Sequence, residues 1–177
     1  MNILIYSPSN LRAADQQAQA ELLISLGHKV FLLTWATAGI LHKNFEALGA
    51  AAHSSYNVKG KSIFFFVKQA IFLSNFCKKY QIDAVFSHLQ SNAVVAGLAK
   101  YFVKSKFYYM RHNADYFTLN ASAKSSFLNK MANLLSPEII AISNNVKHEL
   151  LKEGVNERRI HRINLCYNFS HYETERL

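Results

Sequence analysis

The stretch DAVFSHLQSNAVVAGLAKYFVKSKFYYMRH, residues 83–112, holds a complete structural unit. DAVFSHL (83–89) is a short apolar run rich in aromatic and branched side chains, the signature of a buried strand. SNAVVAGLAKYF (91–102) has the composition and length of a helix, and KFYYMRH (106–112) is a second strand. Strand, helix and strand in this space predict a βαβ unit, whose two strands run parallel.

The same alternation extends both ways. Upstream, NILIYS (2–7) is a continuous apolar strand. It is followed by a helix carrying Ala14, Ala18, Leu22 and Leu26 in i, i+4 register until Gly27. KVFLLTW (29–35) is the next strand, a helix spans about 41–48, a weaker strand spans about 51–57, and the Phe-rich SIFFFVKQAIFLSNFCKKY (62–80) is helical. Downstream come a helix over 122–135, the strand EIIAIS (138–143), a helix over 144–153 stopped by Gly154, and the strand RIHRINLC (159–166). This order predicts a Rossmann-like α/β sandwich: a mainly parallel sheet with helices on both faces.

With 177 residues, half of them hydrophobic, the chain has the size of one domain with a sizeable core. Two prolines, six glycines and no low-complexity tract leave no obvious internal linker. Cys77 and Cys166 lie far apart, without CxxC spacing, and the start MNILIYSPSN has no basic region ahead of its short apolar run. It reads as a first buried strand rather than a signal peptide, and a reducing cytoplasm is expected.

The net charge of +9 has a definite location. Residues 1–58 carry three basic and three acidic side chains, and residues 137–177 carry six of each. Between them, eleven Lys and Arg face only Asp83 and Asp115, so a basic surface with an anionic partner is expected. The Phe-rich helix lies there, apolar at 63, 66, 67, 70, 73, 77 and 80 and accompanied by Lys59, Lys61, Lys68, Lys78 and Lys79. It reads either as a core helix with a solvated lysine edge or as a helix lying on a membrane surface. A membrane span is excluded, because Lys68 and Gln69 interrupt the apolar run after five residues.

Parallel sheets bind ligands at the carboxyl ends of their strands. The residues leaving the strands here are Ser7 to Arg12, Thr34 and Trp35, Ser87 and His88, Arg111 to Asp115, and Ser143 to Asn145, a rim rich in hydrogen-bonding groups. Ser143 or Asn144 would cap its helix and leave N–H groups free for an anion; capping alone also explains Ser143. The first loop, SPSNLRAAD, has no glycine, which removes both the GxGxxG turn and the P-loop. HExxH, GxSxG and a metal-spaced Cys/His cluster are lacking too. His88 and His112 both leave strand ends, yet two histidines without a carboxylate make a poor metal site, and no metal is expected.

Several motifs resemble, in order, those of retaining glycosyltransferases of family 4, which have the GT-B fold. IIAISNNVKHELLKEGVNERRIHRINLCYNF (139–169) is similar to the segment that closes that family's N-terminal domain, and DAVFSHLQSNAVVAGLA (83–99), KFYYMRHNAD (106–115), NILIYS and AELLISLGHKV (20–30) match its earlier motifs. The resemblance implies that residues 1–170 are the N-terminal, acceptor-side domain, that 171–177 begin the interdomain linker, and that a C-terminal nucleotide-sugar domain with two glutamates eight apart is missing from this chain. Glu149 and Glu157 have that spacing but straddle Gly154 in the wrong half. It further implies that His112 contacts the transferred sugar, that His88 lines the acceptor side, and that Asn10 and Arg12 approach the donor diphosphate, with Arg111, Asn113, Ser143 and Asn144 on the same rim. The missing glycine departs from the family's first loop; Arg12 offers charge instead.

The expected reaction is transfer of a sugar from a nucleotide-sugar to a glycan or lipid-linked acceptor with retention, needing no cofactor or metal, in the cytoplasm or at the inner membrane face. Two other classes stay open: a non-catalytic binding module for an anionic ligand or membrane surface, and a nucleic-acid module using Tyr101, Tyr108 and Tyr109 among the basic residues. No RNP motif supports the latter, and no nucleic acid is expected as partner.

Overall fold

The computed structural model describes residues 1–55, 63–113 and 122–165. Chain order is β1 (Asn2–Ser7), α1 (Ala14–Ser25), β2 (Lys29–Thr34), α2 (Ile40–Ala47), β3 (Ala51–Ser54), α3 (Ile63–Lys79), β4 (Ala84–His88), α4 (Gln90–Ala99), β5 (Lys106–Arg111), α5 (Ala123–Leu135), β6 (Glu138–Ala141), α6 (Asn144–Lys152) and β7 (Ile160–Arg162). The strands form one sheet in the order β3-β2-β1-β4-β5-β6-β7, with every neighbouring pair parallel. The expected α/β sandwich is the observed one.

The order determines the layers. From β1 the chain steps outward through β2 to β3, then returns through α3 to β4 on the other side of β1 and steps outward again. Right-handed crossovers put helices of opposite steps on opposite faces. Accordingly, α1 and α2 pack on β1 and β2 through Ala20, Leu41 and Phe45, over Ile5, Val30 and Leu32. On the other face, Ala70, Leu73 and Cys77 of α3 join Val95 and Ala99 of α4 over Leu4, Val85 and Phe107. Ala132 of α5 with Val146 and Leu150 of α6 continue that layer over Tyr109, Ile139 and Ala141. Burying each valine, leucine, isoleucine or phenylalanine among these contributes about 1.5–3 kcal/mol, and each alanine less.

α4 lies between α3 and α5, and Asn92–Gly97 are buried throughout. A Cβ on Gly97 would stand 2.5 Å from the Leu135 Cβ, so only glycine allows α4 and α5 this close. The side chains of Ser122 and Ser143 cap α5 and α6 by accepting from the N–H groups of Ser125 and Val146.

α1 departs from its expected packing. The i, i+4 stripe is not the core face, since Leu22 is 58% exposed and Leu26 62%. Gln16 and Ala20 are buried instead, and Leu23 and Ile24 pack beside them. Ala18 and Leu22 border a groove of about 600 Å3 that runs from α1 across Phe86, Met110 and Ile140. A second, of about 1280 Å3, continues over Tyr108 and Arg162. Among the described residues no helix covers β4–β7 on this face, which is why one side of α1 has nothing to pack against.

Candidate functional site

The direction reversal falls between β1 and β4, and there the loops diverge to leave a crevice beyond the strand ends. His88 is the last residue of β4 and is 1% exposed. Leu89, which follows it, has φ 65° and ψ 158°, a region that side-chain-bearing residues rarely enter. Strain of this kind persists only where the surroundings over-determine it, and it gathers at functional sites.

Four side chains form a line there. The Asp15 Oδ2 lies 3.6 Å from the His112 Nδ1. The His112 Nε2 is 2.9 Å from the His88 Nδ1, and the His88 Nε2 is 3.2 Å from the Gln19 Oε1. Asp15 and Gln19 stand one turn apart on α1, so both reach the histidines from one helix. With the Gln19 amide oxygen turned to it, a neutral His88 donates from Nε2 and accepts at Nδ1 from the His112 Nε2–H. That leaves the His112 Nδ1 a lone pair facing a carboxylate. Two acceptors face each other, and both call for the O–H of a hydroxyl, or for a proton.

Burial holds both rings neutral. It lowers the His88 pKa well below the ordinary histidine value, with His112 adding to the effect. It lowers that of His112 as well, against the opposing pull of Asp15. The unfolded chain therefore binds more protons as the pH falls. This stability is complete above about pH 6.5 and drains away as the pH drops toward the lowered folded values, by up to about 1.4 kcal/mol per pH unit for each histidine. Urea unfolding at stepped pH should show that slope, and His88→Gln should flatten it; an unchanged slope in the variant would refute the assignment.

Asp15 supplies the carboxylate that the sequence reading did not place beside His88 and His112. The three offer ligand atoms within 4.8 Å of one another, a donor set that suits a divalent cation in composition. His112 turns opposite ring nitrogens to Asp15 and to His88, so an ion held by either nitrogen would replace the contact that nitrogen now makes.

Arg111 needs a correction, because it does not reach the crevice. Alternation along β5 puts it on the face of Phe107 and Tyr109, beneath the helices, where it is 1% exposed. Its Nη2 donates to the Glu153 Oε1 at 2.8 Å, and its Nη1 to the Glu153 Oε2 at 3.1 Å and the Asn129 Oδ1 at 2.6 Å. Its Nε donates to the Asn113 carbonyl at 2.9 Å. Asn133 donates to the same carboxylate at 2.6 Å. Burial alone would raise the Glu153 pKa, but Arg111 and the two asparagines outweigh it and hold the carboxyl below its usual range. Arg111 thus ties β5 to α5 and α6 and grips the backbone just past His112.

The other expected residues divide. Asn10 is a staple: its amide donates to the Thr37 carbonyl and its own carbonyl accepts from the Leu41 N–H. Arg12 is exposed on the first loop, and Asn144 is exposed at the start of α6. Ser143 spends its oxygen on the cap. Lys68, Lys78 and Lys79 lie on the surface of α3, while Lys59, Lys61, Asp115 and Cys166 fall outside the described residues. The structure therefore gathers His88 and His112 with Asp15 and Gln19, and leaves Arg111, Asn10 and Ser143 with structural duties. An acidic residue in the first turn of the helix after β1 was the available signal for Asp15.

No curated protein matches the sequence at a significant level. Among solved structures, a glycosyltransferase from Rickettsia africae ESF-5 is similar over 99% of the chain at 20% identity, with TM-score 0.69. Anabaena HepE, solved with UDP, is similar over 97% at 14% identity, with TM-score 0.76. The UDP-GlcNAc 2-epimerase of Neisseria meningitidis, solved with UDP-GlcNAc, is similar over 90% at 15% identity, with TM-score 0.66. The chain spans 46%, 46% and 45% of the length of these proteins, and at such identities the likeness is one of fold. The pattern of Glycosyltransferase Family 4 matches residues 17–169, most of the chain and three of the four members of the polar line, Gln19, His88 and His112, and the chain belongs to glycosyltransferase family 4.

Proposed function

We propose that this chain is the acceptor-side half of an enzyme that moves a sugar from a nucleotide-sugar to a hydroxyl of a glycan or lipid-linked acceptor, with retention at the anomeric carbon. The reading is supported by the family, by the UDP and UDP-sugar bound to proteins of the same fold, and above all by the paired acceptors His112 Nδ1 and Asp15 at the switch crevice. A sugar presents the hydroxyl donors that this pair lacks. His112 and Asp15 hold and orient such a hydroxyl, and His88 and Gln19 fix the tautomer that makes His112 an acceptor. In the retaining scheme the bond from the anomeric carbon to the leaving diphosphate breaks as the acceptor oxygen bonds on the same face, and the acceptor proton passes to the departing phosphate. A second domain carries most of the nucleotide contacts, no metal or other cofactor takes part, and the reaction runs on the cytoplasmic side.

The test uses the protein isolated from its own cells, supplied with UDP-, GDP- and ADP-sugars and a lipid extract of those cells. Release of nucleoside diphosphate that depends on the extract is expected, with a product whose anomeric proton coupling matches the donor's. Absence of release with every donor sinks the transferase reading, and an inverted coupling sinks retention.

A further inference from the structure

The outer surface of the α3–α4–α5 layer is unlike the rest of the molecule. On α3 the outward row is Phe64, Val67, Lys68, Ile71 and Lys78, with Phe64 72%, Val67 47% and Ile71 52% exposed. On α5 it is Lys124, Phe127, Lys130 and Leu134, with Phe127 62% and Leu134 70% exposed. Both rows follow the three-and-four spacing of one helix face. α4 is sunk between them, so the two rows flank one surface. Scattered exposed apolar residues need no explanation, but large side chains aligned on two helices of one layer do.

Charge narrows the partner. Residues 63–113 and 122–136 hold nine Lys and Arg against Asp83 alone, and only Arg111 of the nine is buried. Among the described residues, Lys68, Lys78, Lys124 and Lys130 have no ion-pair partner. Lysines flanking protruding aromatic and aliphatic side chains match an interface of anionic headgroups over acyl chains. A nucleic-acid strand is a worse fit, because of Tyr101, Tyr108 and Tyr109 only Tyr101 is exposed, and its ring already carries the Lys100 ammonium. Tyr109 is 1% exposed, and Tyr108 is stacked on Phe86 in the opposite layer. No helix among the described residues is long and apolar enough to cross a membrane, so contact would be with the surface.

We infer that the outer face of α3 and α5 docks on an anionic phospholipid bilayer, with Phe64, Ile71, Phe127 and Leu134 entering the headgroup region and the lysines meeting the phosphates. This rests on the surface alone, and it stands or falls separately from the sugar-transfer reading because its test reads no activity. The full chain is sedimented with phosphatidylcholine vesicles, with and without phosphatidylglycerol. Binding is expected only to the anionic vesicles. Lys68→Glu/Lys124→Glu/Lys130→Glu should weaken it by about 100-fold, at roughly fivefold per lysine. Phe64→Ser/Phe127→Ser should weaken it by about tenfold and leave a remainder that salt abolishes. All five positions are exposed, and unchanged thermal unfolding shows that each variant folds. Equal binding to neutral and anionic vesicles, unaltered binding by the lysine variant, or saturable binding to an RNA homopolymer without vesicle binding would each overturn the inference.

Discussion

Replacing Arg111 with alanine should lower the unfolding free energy by about 3 kcal/mol, the low end of the range for breaking a buried ion pair. The low end applies because Glu153 keeps 23% of its side chain exposed and recovers some hydration when its partner goes. The loss is still large, because the Glu153 carboxylate, the Asn129 amide oxygen and the Asn113 carbonyl lose their donor together. In a domain of this size the shift amounts to about 6–12 °C in Tm. Arg111→Met with Glu153→Leu should remain less stable than the native chain, since it removes the buried charges but leaves Asn129, Asn133 and the Asn113 carbonyl without their partners. The pH dependence has a defined sign. Glu153 titrates below its unfolded value, so its contribution is present above the ordinary glutamate range and lost as the pH falls through the folded value. The Arg111→Ala variant should lack that acid sensitivity. A urea titration placing Arg111→Ala within 1 kcal/mol of native would show that the network is ornamental.

In the proposed sugar transfer, His112→Ala should lower kcat/KM by about 100-fold, the scale of removing one preorganised polar contact at a reacting group. Asp15→Ala should do about the same, and the double variant scarcely more, because each acceptor is useful only while the other holds the same hydroxyl. His88→Gln acts indirectly. It keeps a polar group beside Gln19 but releases the His112 tautomer, so the rate should fall less and depend differently on pH. Thermal unfolding separates these effects from general damage, since His112 keeps 17% of its side chain exposed and its loss opens little core. Multiplying losses in the double variant, or a change below threefold in His112→Ala, would remove the pair from the reaction.

β1, β2, β4 and β5 were legible because each is a short run rich in apolar side chains, and β1 is found at the expected residues 2–7, whereas β7 is only Ile160–Arg162 of the expected 159–166. The parallel sheet with helices on both faces followed from strict alternation of strands and helices, whereas the order of its strands did not. Side-chain direction was harder to read. The alternation that buries Tyr109 buries Arg111 too, but a charged residue at a strand end suggests a ligand, and only the distant Glu153 shows why it turns inward. The α1 stripe at Ala14, Ala18, Leu22 and Leu26 had a sound period but the wrong face, since the period does not say which side meets a sheet. The polar line was half legible. His88 and His112 stand at predicted strand ends, whereas Gln19 meets His88 across 69 residues of sequence and no local pattern records that contact. The doublet of readings for the Phe-rich helix was also a matter of faces. Ala70, Leu73, Phe76 and Cys77 are buried, and Phe64, Val67 and Ile71 are not, so both halves of the ambiguity describe one helix.

The face of β4–β7 that no helix covers among the described residues also bears on how the chain responds to temperature. Unfolding heat capacity grows with the apolar surface newly wetted, and a fully covered domain of this length would show about 2 kcal/mol/K. Over β4–β7 the side chains of Phe86 and Tyr108 line open grooves in the folded state. Less remains to be wetted, so the heat-capacity increment falls below that figure, and the dome of stability against temperature becomes shallower and broader than the chain length alone would dictate.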